Sequence, residues 1–238
     1  MYEKNVTFAL VSIYIVKKIT CFCLVLLAMI ASSCKYANPK YISEGVIEYD
    51  VKAVDEASPN AAYAPSKMTA KFKDSKIAAE MNVMGGIFSM TMIFNPKKKT
   101  LTQLVKMLDL KQAIIEDEKM LAEEVKQYEL TFEETDEKKE IAGYKCKKLI
   151  ATKVDDPSTK FDVWYTDQLN IKNPNMGTPY QQIEGMLMQY RLRRNDLELE
   201  FTAMGVEKEK IEDSEFELPP YYKVISKQEM DDFFKSLE

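Results

Sequence analysis

From Gly45 onward, apolar and polar residues alternate with a period of two, the spacing of a half-buried strand. Ile47, Tyr49 and Val51 fall on one face, and Val46, Glu48 and Asp50 on the other. Residues 55–66, interrupted by Pro59 and Pro65, read as a loop. Two strands are predicted over 68–73 and 76–83, turning at Lys73-Asp74-Ser75. Gly85-Gly86 supplies the next turn, because glycine takes positive φ cheaply. A strongly apolar strand over 87–94 follows, and Asn95-Pro96-Lys97-Lys98 turns it into another over 100–106. A further strand covers 110–115, and 128–133 alternates again. Between them, 116–126 is rich in helix formers, with Met120, Leu121 and Val125 as a weak apolar stripe.

The clearest local prediction is a hairpin about Asn195-Asp196. With those two residues as the turn, Arg193 faces Glu198, Leu192 faces Leu199, Arg191 faces Glu200, Tyr190 faces Phe201 and Met188 faces Ala203. Opposite charges meet on one face and apolar groups on the other, each pair contributing roughly 0.2–1 kcal/mol. A one-residue slip mixes the two sets, so the register is well specified. At the end of the chain, Ser226 and Glu229 form a capping box. Met230, Phe233, Phe234 and Leu237 follow at helical spacing, which predicts a helix over 227–237 docked by its aromatic face. No second domain boundary is visible after residue 45.

The start of the chain is patterned differently. Lys17-Lys18 precede the apolar run Leu24 to Ile30 and the small residues Ala31-Ser32-Ser33, the order of a secretory signal. The apolar run is short for a membrane span, which needs about 20 residues. Ala31-Ser32-Ser33-Cys34 resembles the lipobox of bacterial lipoproteins. The resemblance implies that Cys34 becomes the mature N-terminus and carries diacylglycerol and an amide-linked chain such as palmitate. One acyl chain binds a bilayer marginally and two anchor it stably. The division is then a signal peptide over 1–33, a tether over 34–44 and a single β-rich domain over 45–238. The alternative is a retained N-terminal membrane helix, since 8–16 is also apolar.

Charge and composition remove many functions. The chain has a net charge of −5; losing 1–33 takes away Lys4, Lys17, Lys18 and Glu3, which brings it to −7. An acidic body argues against a nucleic-acid surface. Histidine is absent, which removes Ser-His-Asp and Cys-His catalysis and imidazole metal sites. Beyond Cys34 only Cys146 remains, so an internal disulfide and a Cys-based zinc site are excluded. Asp155-Asp156, Glu123-Glu124 and Asp231-Asp232 are adjacent acids in polar contexts and read as solvated surface, as do Lys97-Lys98-Lys99 and Lys145, Lys147 and Lys148. No catalytic residue, metal site or cofactor is expected.

Five stretches carry a family likeness: Ala142-Gly143-Tyr144-Lys145-Cys146-Lys147-Lys148, Val163-Trp164-Tyr165-Thr166, Gly177-Thr178-Pro179-Tyr180, Ile183-Glu184-Gly185-Met186-Leu187-Met188, and Asp213 to Pro219. In this order they resemble a family of Gram-negative lipoproteins and secreted proteins with a GYKCKK…W-T signature, related to the GLPGLI proteins. Such proteins are similar in outline to Lol-type lipoprotein carriers. The resemblance implies a mainly β (α+β) fold: a single curved antiparallel sheet or incomplete β-barrel with an apolar concave face and one or two short helices. It supplies no catalytic residues.

Twelve methionines lie beyond residue 33, and Met90 and Met92 share a strand face with Phe88 and Phe94. Methionine is flexible and polarisable, so a surface lined with it adapts to ligands of varied shape. Phe88, Met90, Met92, Phe94, Met186, Met188, Tyr190 and Phe201 are therefore the candidate lining of a concave hydrophobic site; the bland alternative is that they fill the core. The expectation is a non-enzymatic protein held on the membrane through lipidated Cys34, binding a hydrophobic small molecule or a lipidated partner. The alternative is an accessory envelope subunit with a filled core and a protein partner. Lys35, a residue other than aspartate after the cysteine, points to the outer membrane facing the periplasm.

Overall fold

Twelve strands form one sheet, and the sheet does not close. The computed structural model describes residues 41–194 and 197–236. In chain order these hold β1 (Glu44–Ala53), β2 (Lys67–Lys73), β3 (Lys76–Val83), β4 (Phe88–Asn95), β5 (Thr100–Met107), β6 (Leu110–Glu116), α1 (Glu118–Gln127), β7 (Leu130–Ile141), β8 (Tyr144–Lys153), β9 (Lys160–Thr166), β10 (Met186–Arg194), β11 (Leu197–Glu207), β12 (Lys223–Val224) and α2 (Lys227–Lys235). Their order across the sheet is β12-β6-β5-β4-β3-β2-β1-β11-β10-β9-β8-β7. Two meanders, β1–β6 and β7–β11, are joined where β1 pairs with β11; every pairing is antiparallel except the two-residue addition of β12 to β6. Among the described residues, the fold is the mainly β, open curved sheet with two helices that the family resemblance implies.

Curvature is visible in what the core joins. Ile47 and Phe72 of β1 and β2 belong to the same buried cluster as Ala151 and Val163 of β8 and β9, although several strands separate them along the sheet. Tyr49 of β1 donates its hydroxyl hydrogen to the Leu187 carbonyl of β10 at 2.8 Å. At the centre, Tyr190 stacks on Phe201 at 4.9 Å, with Tyr49 and Tyr180 edge-on at 6.0 and 5.8 Å. Each such aromatic pair adds about 0.5–1.5 kcal/mol beyond its area burial. The predicted hairpin register is found pair for pair from Tyr190–Phe201 to Arg193–Glu198, while its turn, Asn195-Asp196, lies outside the described residues. The folded body also takes in Tyr41 to Glu44, assigned from sequence to a tether: Ile42 is buried and the Tyr41 amide donates to the Gln168 carbonyl. The signal segment and Cys34 lie outside the described residues.

The far half of the sheet is covered by the C-terminal segment. Ile211 and Phe216 pack on the outer face over Ala78, Ile93, Leu104 and Ala113. The chain then rounds the edge as β12, and α2 lays Met230, Phe233 and Phe234 on the opposite face against Val105, Ile114 and Phe88. The predicted capping box is present: Ser226 Oγ accepts from the Glu229 amide and the Glu229 carboxylate accepts from the Ser226 amide.

Met188, fully buried, should lose about 2–5 kcal/mol of stability as Met188→Ala. Ser226→Ala should cost about 1 kcal/mol. Denaturant melts check both. Hydrogen bonds from Lys76 and Lys73 hold the Asp213 carboxyl below its usual range. A depressed folded pKa contributes stability above the unfolded value of about 4 and loses it as pH falls through the folded value. Hydrogen exchange should therefore show residues 211–216 losing protection relative to β1 in acid, and Asp213→Asn should abolish that difference.

Candidate functional site

The eight residues predicted to line one surface fall into two groups. Met186, Met188, Tyr190 and Phe201 are buried in the main cluster. Their apolar, strand-periodic pattern suits a cavity wall and a filled core equally, and the stacking geometry makes them filled core. Three of the four on β4 stay nearer the surface. Met90 and Met92 are half-buried beside the main cluster, Phe94 is buried, and Phe88 meets Phe234 of α2 edge-on at 6.3 Å. Strand register puts buried Gln103 and Glu116 on this same face, and Gln103 Nε2 donates to Met90 Sδ at 3.7 Å. The inner face between core and α2 is thus apolar and adaptable, with two polar groups set into it.

A second site was not foreseen. Tyr128, Leu130, Phe161, Pro179, Lys153, Asp155, Arg191, Arg193 and Glu198 line a cleft of about 30 Å³, room for roughly one water. Its cations are held by acids: Lys153 to Glu198 at 2.7 Å, Arg191 to Glu200 at 3.2 Å and Arg193 to Asp155 at 3.2 Å. Arg191 also lies over Phe161 at 5.2 Å and Arg193 over Tyr128 at 5.8 Å. The Arg191–Glu200 pair was legible in the hairpin, but the other partners come from β8, the β8–β9 loop, β9 and the segment before β7, which the hairpin register alone does not join. This cleft can read hydrogen-bonding groups at its mouth; it presents no nucleophile.

Burial pushes the Cys146 thiol up to about 11. Asp156 accepts from Ser158 and Thr159, whose hydrogen bonds lower its pKa, and Asp231 pairs with Lys227. Lys147 is bound to Asp167, and Lys148 to Glu137 and Asp162. No group of three or more metal-ligating side chains occurs among the described residues.

The model of the family described as "N-glycanase peptide, N-terminal domain" matches residues 50–230. The chain belongs to this family. Two solved structures of PNGF-II share its fold. The C2 crystal form has a TM-score of 0.52 at 18% identity, covering 82% of this chain and 33% of that one. The P21 form has a TM-score of 0.51 at 19% identity, covering 82% and 34%. This chain therefore spans about a third of the length of the structures it matches. No curated protein sequence matches it.

With its pKa near 11, Cys146 should stay almost wholly protonated at pH 8 and resist thiol reagents while the protein is folded. Denaturation should release it to full reactivity, read as the rate of disulfide-reagent colour in native and denaturing buffer.

Proposed function

We propose that the protein is a lipid-anchored, non-enzymatic module of the cell envelope that works by contact. Cys34 carries the acyl chains and holds the body on the periplasmic face of the outer membrane. The observation that supports contact is the half-buried face of Met90 and Met92, set between a filled core and α2. Apolar area buried there contributes roughly 25 cal/mol per Å². A hydrophobic ligand or the acyl end of a lipidated protein is the guest that suits it, with Phe88 and Phe94 at its borders. Met186, Met188, Tyr190 and Phe201 act from behind, fixing the curvature.

A second reading is favoured by the family match. An N-terminal domain family of an N-glycanase, together with the filled core, supports an accessory role beside a protein that acts on glycans. The partner then docks on a surface and the β4 face holds no guest.

Two measurements separate these readings. Organic extracts of the purified protein should contain an amphiphile by mass spectrometry, and Met90→Glu with Met92→Glu should abolish uptake of a fluorescent fatty acid. A ligand-free extract, no fatty-acid uptake and one stoichiometric partner in membrane crosslinking would favour the accessory role. Labelled palmitate failing to enter the protein, or entering Cys34→Ala equally, would remove the anchor from both.

A further inference from the structure

The cleft beside the β10–β11 hairpin has a floor, a rim and a fixed frame. Side-chain exposures of 15% and 20% put Lys153 and Glu198 at the floor, and 40% and 53% put Arg193 and Asp155 at the rim. Buried Phe161 and half-buried Tyr128, Leu130 and Pro179 supply apolar walls. Hydrogen bonds tie these segments together. The Val154 amide donates to the Glu129 carbonyl at 3.1 Å, the Val54 amide to the Glu198 carbonyl at 2.9 Å, and the Tyr180 hydroxyl to the Arg191 carbonyl. A site framed this way loses little freedom when it is filled.

Size, charge and polarity each narrow what fits. A space of about 30 Å³ admits one hydroxyl or one water at the floor, so a larger ligand lies across the mouth and sends a single small group inward. Lys153, Arg191 and Arg193 stand beside Glu198, Glu200 and Asp155, so the pairs cancel and offer an ionised ligand no net opposite charge. What they do offer is hydrogen bonding in fixed directions. The contacts use Nη1 of Arg193 and one oxygen each of Asp155 and Glu198, and a guanidinium or carboxylate has more sites than one contact takes up. The rim pair, well exposed to water, contributes little to stability.

A hydroxyl donates and accepts at once. A ring with several hydroxyls on its edge and C–H groups on its face therefore meets all three conditions. We infer that the cleft is a binding subsite for a neutral pyranose unit of a glycan. The C–H face lies on Tyr128 and Pro179, where a ring and a proline give apolar contact without charge. Edge hydroxyls bridge Arg193 and Asp155 at the rim, and one hydroxyl reaches Lys153 and Glu198 in place of a water. The inference goes beyond both readings above: it stands on the cleft alone and needs neither the tether, the β4 face nor a protein partner.

The test is saturation-transfer NMR on full-length protein with the methyl glycosides of mannose, glucose, galactose and N-acetylglucosamine. At least one should receive magnetisation, concentrated on one ring face and on the group sent inward. Tyr128→Ala removes the platform and Arg193→Ala a rim donor, and each should weaken binding about tenfold. Tyr221→Ala, at a tyrosine exposed elsewhere on the surface, should leave binding unchanged. Thermal melts establish that each variant is folded, and Arg193→Ala carries the test if Tyr128→Ala unfolds. Folded protein that transfers to none of the four sugars refutes the subsite and leaves a cleft that holds water only. Transfer that both variants leave intact also refutes it. Stronger transfer to glucuronate or glucosamine overturns the neutral ligand in favour of a charge-reading site. Palmitate incorporation and fatty-acid uptake are separate readouts, so failure here is distinct from failure of either reading above.

Discussion

A twelve-stranded sheet that stays open has to hide its apolar inner face without the self-closure that a barrel provides, and this constraint shapes the rest of the molecule. Near the middle of the strand order the sheet curls far enough to bury that face against itself, so that β1 and β2 share a core with β8, β9 and β10. Tyr190 on Phe201, braced by Tyr49 and Tyr180, fills the place where the two sides meet. These tyrosines bring polar hydroxyls inside, and burial of an unbonded hydroxyl costs about 1–3 kcal/mol. Tyr49 and Tyr180 avoid that cost by donating to the carbonyls of Leu187 and Arg191 in β10. The same contacts therefore supply apolar area and fix how far the sheet bends.

Toward β6 the curl runs out, and the C-terminal segment supplies what curvature cannot. It covers the outer face with Ile211 and Phe216, occupies the edge of β6 with β12 and covers part of the inner face with α2. At the other end of the order, among the described residues, β7 is the edge strand, and it is dense in charge through Glu133, Glu134, Asp136, Glu137, Lys138, Lys139 and Glu140. Charged side chains on an edge discourage another chain from adding to the sheet. One edge is blocked by pairing and the other by solvation.

Local structure was legible wherever neighbouring residues carried it. The β10–β11 register followed from charges and apolar groups that match only one way, and the α2 capping box from four consecutive residues. What joins distant elements was hidden. Met188 and Met90 look alike in sequence, yet one is fully buried in the curl and the other half-buried beyond it. The difference depends on where the curvature ends, and no local pattern encodes that. The cleft around Arg191 and Arg193 was equally hidden, because Phe161 and Asp155 reach it only through the strand order β10-β9-β8. Ile42 was assigned to a tether because a single buried residue ahead of β1 has no period to betray it.

Where the cover stops is also where the molecule has surface to offer. Among the described residues the interior is committed to holding the curl, and burial pushes the Cys146 thiol up to about 11. Contact needs only area and fit. Beyond the curl, apolar area remains on the β4 face and at the hairpin end near α2. Those positions are not needed for closure, since the aromatic core and the C-terminal segment already bury the sheet.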